Sequence, residues 1–196
     1  AGHSPLANVV ECLHRGIEWD IPLTQVHPVT RKKIPIAENI QRLVRYEPKT
    51  GFREGLKDAK YLYSFQSPET IYLNVQPDYQ RGNAYRLKWQ EPKVIFNSKR
   101  KSRGPWRLAA FADTSGLVVY QTFTCAWPSP PWKPQTLAAA LNGPIANAFI
   151  TAHEGNRDIT KETLLRIPMP DVALLDQSRL ESLIARYVES IESFQG

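Results

Sequence analysis

The chain has 196 residues and a formal net charge of +6, from 25 lysines and arginines against 19 acidic residues. This length predicts one globular domain, or one domain with a helical appendage. No apolar run approaches the roughly 20 residues that a membrane-spanning helix needs, and the N-terminus has no signal-peptide pattern, so the sequence predicts a cytoplasmic protein without membrane contact.

The N-terminal part predicts a strand, a turn and a loop. A short strand is expected over 6–11, followed by a turn over 14–17 in which Gly16 supplies a positive φ. The proline-rich stretch 21–35 is typical of a loop. It carries a small basic cluster, whose alternative role is solubility: Arg31, Lys32 and Lys33.

The most strongly charged part of the chain lies between Arg86 and Arg107, where eight basic side chains face one acid, Glu91. Such a concentration of charge favours binding of a polyanion, because each cation near a phosphate releases condensed counterions. Trp106 stands among these cations. The segment therefore predicts a DNA or RNA surface, with a solvated basic loop as the alternative.

Strand patterns surround this basic segment. The apolar run 93–97 predicts a strand, and 106–112 and 117–126 predict a hairpin around the turn 113–116. The basic segment then belongs to a strand, loop, strand unit. Such a unit projects residues 99–103 from a rigid sheet toward a ligand.

From Gln135 onward apolar residues recur at helical spacing. The pattern predicts a first helix that ends at Gly143 and a second that begins at Pro144. A short helix is expected over 160–165, capped by the Thr160 hydroxyl.

The last predicted helix is the clearest. It follows a capping-box sequence at 178–181. Its apolar side chains form one stripe: Leu180, Leu183, Ile184, Tyr187, Val188, Ile191 and Phe194. Such a stripe must be buried, either on its own domain or against a helix of a partner. We therefore divide the chain into a domain over 1–170 and a packing helix over 171–196.

Catalytic patterns are scarce. The histidines and the two cysteines show no metal-ligand spacing, and no glycine-rich loop predicts a nucleotide or S-adenosylmethionine site. The tetrapeptide Ser-Pro-Pro-Trp at 129–132 is superficially similar to the one with which amino methyltransferases hold a flipped base. It lies in a proline-rich connector without a cofactor-binding sheet, so a complete enzyme is a distant rival.

A family resemblance is carried by short segments in a fixed order: LANVVECLHRGI at 6–17, YL at 72–73, PKVIFN at 92–97, YQTF at 120–123, LAAALN at 137–142 and ITKETLLRIPMP at 159–170. Together they resemble the target-recognition domains of adenine-N6 DNA methyltransferases. Such domains occur at the C-terminus of Taq-type and fused methylases and in type I restriction specificity subunits. One departure is Asn142-Gly143, where the family usually has Asn-Ser.

The resemblance implies an α+β fold: a curved mixed or antiparallel sheet with helices packed at one side and a long C-terminal helix. It implies that this chain holds double-stranded DNA against a separate methyltransferase catalytic domain. That domain, and not this chain, would bind S-adenosylmethionine and methylate adenine.

The resemblance and the charge pattern together nominate the DNA-binding residues Arg31, Lys32, Lys33, Lys93, Asn97, Lys99, Arg100, Lys101, Arg103, Trp106, Arg107 and Gln121. No catalytic or metal-binding residue is nominated. Arg100, Lys101 or Arg103 would donate to guanine, and Asn97 or Gln121 would pair with adenine.

Three readings of the chain stay open. A C-terminal fragment of a fused methylase and half of a type I specificity subunit explain the sequence equally well. A third reading is an RNA-binding or structural protein whose aromatic side chains stack on single-stranded bases: Tyr85, Trp89, Phe96 and Trp106. Core packing is the more ordinary role of those aromatics.

Overall fold

The computed structural model describes residues 3–99, 106–155 and 158–195. Its strands are β1 (Ser4–Pro5), β2 (Val10–Arg15), β3 (Thr24–Val26), β4 (Lys33–Pro35), β5 (Val44–Arg45), β6 (Phe52–Leu56), β7 (Ile71–Asn74), β8 (Lys93–Asn97), β9 (Ala110–Asp113), β10 (Val118–Val119), β11 (Phe123–Pro128) and β12 (Pro168–Met169). Its α-helices are α1 (Ala37–Leu43), α2 (Pro134–Asn142), α3 (Pro144–His153), α4 (Lys161–Leu165) and α5 (Gln177–Gln195). The predicted α+β class with a long C-terminal helix is confirmed.

Two four-stranded sheets build the body of the molecule. The first sheet is antiparallel, in the order β2-β11-β8-β9, and the second is mixed, in the order β10-β6-β7-β5. The chain passes between them just after β2, where Ile17 N donates to Val119 O at 2.8 Å. The resemblance implied one curved sheet, whereas the described residues form these two four-stranded sheets, which meet at this crossing, and two small sheets of two strands each, β1-β12 and β3-β4.

The first sheet is buried on both faces. Along β8, Val94 and Phe96 pack with the helices α2 to α4, while Ile95 packs toward the second sheet. Successive side chains of a strand point to opposite faces, so an uninterrupted apolar run is what a central strand of this kind requires. The first sheet is therefore a rigid middle layer, and side chains at its ends inherit a fixed position.

Gly16 makes the crossing between the sheets possible. A Cβ at this position would lie 2.2 Å from Val119 O and 2.4 Å from Tyr120 O. The predicted positive φ is wrong, because the residues with that conformation are elsewhere, Gly116 among them. Gly16 is needed for close approach of two backbones, which a local sequence pattern does not reveal.

The C-terminal helix α5 packs on the domain beside α2. Lys133 Nζ lies 3.0 Å from Glu181 Oε1, and Gln177 Nε2 donates to Pro131 O at 3.0 Å. The helix is capped by Asp176, whose Oδ1 accepts from Arg179 N at 3.0 Å, so the capping box predicted at 178–181 is wrong by a few residues. Docking on its own domain is thus shown from Gln177 to Tyr187, whose ring contacts Phe65.

Of the other local predictions, some are confirmed, one is shifted along the chain and one is wrong. The strand 93–97, the helix break between Gly143 and Pro144 and the Thr160 cap are confirmed. The first strand is shifted, since 6–8 forms a 3₁₀ turn and β2 follows it. The hairpin around 113–116 is wrong: β9 pairs with β8, and β10 joins the second sheet.

Candidate nucleic-acid interface

One end of the first sheet collects four chain segments. Arg15 at the end of β2 is opposite Thr124, Phe123 at the start of β11 is opposite Asn97, and Phe96 is opposite Ala110 at the start of β9. Because neighbouring strands are antiparallel, the turn 120–122, the residues 98–99 that leave β8 and the residues 106–109 that enter β9 all lie at this end. We call this end of the sheet the basic edge. It carries Arg15, Lys99, Trp106, Arg107 and Gln121.

Arg15 and Lys99 lie at the basic edge beside the same carboxylate. Their side chains are 47% and 46% exposed, and each faces Asp158 Oδ1, at 3.9 Å from Arg15 Nη2 and 3.7 Å from Lys99 Nζ. Arg15 Nε also donates to Gln121 O at 2.6 Å, which fixes the direction of the guanidinium. Two cations around one carboxylate leave a positive charge that is held in place and open to solvent.

An open cleft of about 390 Å³ lies beside this pair. Its lining includes apolar side chains, Asp158 and the cation Lys161, while the Ser98 and Thr124 hydroxyls are buried and bond to each other at 3.0 Å. A lysine is a typical donor to phosphate oxygens. The cleft therefore extends the surface on which a polyanion could be held beyond the two cations.

Trp106 and Arg107 lie at the other side of the basic edge. The Trp106 side chain is 48% exposed and borders a shallow depression with Pro144, Ala148 and Ala152 of α3. Arg107 is half-buried, and its backbone N–H donates to Asn147 Oδ1. The exposed Trp106 ring thus lies beside α3, one residue before Arg107.

Of the predicted site residues, Lys99, Trp106, Arg107 and Gln121 come together at the basic edge. Gln121 is half-buried and donates to the Tyr120 hydroxyl at 2.9 Å. Arg100, Lys101 and Arg103 lie outside the described residues. Their predicted role in base contacts stays a prediction.

The small basic cluster is exposed on a separate hairpin. Arg31 and Lys32 lie between β3 and β4, and Lys33 begins β4, in a two-stranded sheet of its own. Arg31 has a φ of 55°, and His27 Nδ1 accepts from Val29 N and Thr30 N to shape the tip. The hairpin leads into α1 and β5 at the second sheet, so these cations belong to a different element from the basic edge.

The prediction that Lys93 contacts DNA is wrong. Its side chain is fully buried, and Nζ lies 2.5 Å from Asp113 Oδ2 and 2.7 Å from Trp89 O. Arg86 and Lys88 also lie toward this opposite end of β8, where Lys88 pairs with Glu91. The described cations of the basic run are therefore divided between the two ends of one strand.

The prediction that Asn97 reads adenine is also wrong. Its side chain is 1% exposed, and its amide forms hydrogen bonds with the backbone. Nδ2 donates to Lys99 O and to Arg107 O, and Oδ1 accepts from Ala109 N. An amide whose donors are used inside the fold has none to offer to a base.

Sequence analysis missed Arg15 and Lys161. Arg15 stands directly before Gly16, where the strand was predicted to have ended, and its position beside Lys99 depends on the pairing of β2 with β11. The one sequence signal at this position is Gly16 after the first strand, which indicates a turn and says nothing about the role of Arg15. No charge pattern in the sequence connects residue 15 with residue 99.

Two rival readings lose residues on which they depend. Trp132 of the Ser-Pro-Pro-Trp tetrapeptide is 7% exposed and packs in the core with Leu6 and Leu137, so its ring is not free to stack on a base. Trp89 and Phe96, candidates for stacking on single strands, are likewise buried.

Within the described ranges, no three His, Cys, Asp or Glu side chains cluster as a metal site would require. Over the same residues, no helix has the length and apolar content needed to cross a membrane. No protein-family model matches the chain, and no curated protein matches its sequence. The function is therefore argued from the basic edge itself.

Proposed function

We propose that this chain is a sequence-specific double-stranded DNA recognition module without chemistry of its own. The observation that carries the proposal is the convergence of Arg15 and Lys99 on one end of a rigid antiparallel sheet, half-exposed and held by Asp158 and Gln121. Cations fixed in this way position a phosphate backbone, and neighbouring polar side chains then reach base edges.

The biological setting of the proposal is a cytoplasmic restriction-modification system. The short segments that follow one another in the order typical of target-recognition domains support a place next to an adenine-N6 methyltransferase catalytic domain, in the same chain or in another subunit. That catalytic domain would supply S-adenosylmethionine and the methyl transfer. This chain would supply the choice of DNA sequence.

A second candidate is half of a type I specificity subunit, and one observation favours it. Leu183 and Tyr187 on the apolar stripe of α5 remain 50% and 48% exposed, although the same helix contacts α2 and Tyr187 touches Phe65 edge to face. A helix of a partner would cover these side chains.

We expect the isolated chain to bind duplex DNA with a strong salt dependence. Fluorescence anisotropy with a labelled mixed-sequence duplex of about 20 base pairs, titrated at several salt concentrations, measures it. The logarithm of the binding constant should fall linearly with the logarithm of salt concentration. A single strand and an RNA duplex of the same sequence serve as comparisons, and tighter binding of either one would favour the RNA-binding reading.

We also expect the chain to bind no S-adenosylmethionine and to transfer no methyl group, because the sequence has no glycine-rich cofactor loop. Isothermal titration calorimetry of the 196-residue chain with the cofactor gives the answer. Micromolar binding would contradict a pure recognition module and would favour the rival interpretation, a complete enzyme that uses the tetrapeptide at 129–132.

A further inference from the structure

Three asparagine side chains meet on one short stretch of backbone at the basic edge. They come from three elements: Asn97 from the end of β8, Asn142 from the end of α2 and Asn147 from α3. The backbone N–H groups of residues 107 to 110 all donate to their side-chain oxygens, at 2.5 to 2.8 Å. We call this group the asparagine cluster.

Each member of the cluster uses both sides of its amide. Asn147 Oδ1 accepts from Arg107 N and Leu108 N, while its Nδ2 donates back to Gly143 O at 3.0 Å. Asn142 forms two 2.8 Å bonds with the backbone of Ala110. Asparagine combines donors and an acceptor in one planar group, and neither aspartate nor leucine reproduces that set.

Asn97 has the contact that matters most for function. Its Nδ2 donates to Lys99 O at 2.7 Å and to Arg107 O at 2.8 Å. One buried side chain thereby joins the backbone of the two cationic residues at the sides of the basic edge. Asn147 then fixes Arg107 to α3, so both positions are tied to the rigid layers of the fold.

We propose that Asn97 and Asn147 are positioning residues that hold the Trp106-Arg107 pair at a fixed place relative to Lys99, so that this pair reads a DNA sequence while Lys99 contacts phosphate. The inference rests on the proposed function and specifies how its site works. Phosphate contacts tolerate small displacements of a cation, because charge acts over several ångströms in any direction. A hydrogen bond to a base edge does not, since its geometry is narrow. Loss of Asn97 or Asn147 should therefore reduce sequence discrimination more than it reduces affinity for DNA in general.

Asn97→Asp and Asn142→Asp form a matched pair for the test. In Asn97→Asp one carboxylate oxygen still accepts from Ala109 N, but the other faces the carbonyls of Lys99 and Arg107 without a donor. Asn142→Asp introduces the same charge on the same stretch of backbone and loses the bond to Ala110 O. It leaves the link between Lys99 and Arg107 intact.

Binding is measured on two duplexes: one enriched by the wild-type chain from a randomised pool, and a scrambled duplex of the same composition. We expect Asn97→Asp to lower the preference for the enriched duplex by about tenfold or more, the discrimination of one good base contact. Its salt slope on the scrambled duplex should stay that of the wild type. Asn142→Asp should keep the preference.

The inference is overturned if Asn97→Asp keeps the wild-type preference, or if both variants lose it equally, because the cluster would then be structural only. A wild-type chain that enriches no sequence overturns the proposed function itself. If Asn97→Asp does not fold, Asn97→Ser takes its place, since a smaller side chain leaves room for water at Ala109 N. Amide exchange of the wild-type chain adds an independent check: the N–H groups of Arg107, Leu108 and Ala109 should exchange as slowly as those of β8, and rapid exchange would refute the cluster without any variant.

Discussion

Lys93→Met should lower the free energy of unfolding by about 3–5 kcal/mol, the usual cost of removing one partner from a buried ion pair. The substitution leaves the Asp113 carboxylate in the core without its cation, where it is 3% exposed. It also removes the 2.7 Å bond from Nζ to Trp89 O. Urea unfolding followed by tryptophan fluorescence measures the change.

Two variants make this result specific to the buried pair. Lys88→Met changes the same residue type at an exposed pair with Glu91, 3.1 Å apart, and should cost at most about 1 kcal/mol. Lys93→Met combined with Asp113→Asn should be more stable than Lys93→Met alone. Asp113→Asn removes the unpaired charge and keeps one of the two oxygens, so the bond from Ser115 N or the bond from Leu117 N is retained and the other is lost. If Lys93→Met is as mild as Lys88→Met, the buried pair does not stabilise the fold.

The double substitution of Arg15→Gln and Lys99→Gln should weaken binding to a mixed-sequence duplex by about 60-fold at about 0.1 M salt. Each phosphate contact contributes about 0.9 to the slope of log K against log salt, so two contacts change the slope by about two units. Anisotropy titrations over a range of salt concentrations give both numbers. The loss should be similar for all DNA sequences, because phosphates carry no sequence information.

The opposite end of the sheet provides the matched control. Arg86→Gln with Lys88→Gln removes the same two charges from exposed side chains, and it should change the slope little. Equal effects of the two double variants would mean that DNA responds to net charge alone and that the basic edge is not a binding surface. An unchanged slope in Arg15→Gln with Lys99→Gln would contradict the proposed role of these two cations.

Local structure was predictable where one segment contains its own signal. The strand 93–97 follows from an apolar run after Pro92, and the Thr160 cap follows from a hydroxyl before a helical pattern. Register and pairing were not predictable, since they depend on contacts between distant segments. This is why β10 was assigned to a hairpin although it joins the parallel neighbour β6.

The candidate site was only partly predictable, for the same reason. A lysine in a basic run gives no sign that it will be buried with an aspartate twenty positions later, as Lys93 is with Asp113. Arg15 gave no sign of its place beside Lys99, which the pairing of β2, β11 and β8 creates. The sequence shows where basic residues are concentrated, but the fold determines which of them are exposed and can contact a ligand.

Selection from a randomised pool of DNA duplexes tests the central claim most directly. The wild-type chain is immobilised, and bound duplexes are recovered and sequenced over successive rounds at a salt concentration that suppresses nonspecific binding. Our account predicts that one short motif is enriched, and that the variant with Arg15→Gln and Lys99→Gln enriches the same motif once the salt concentration is lowered to restore its binding. A pool that stays random through all rounds, although the wild-type chain binds DNA, would contradict sequence-specific recognition.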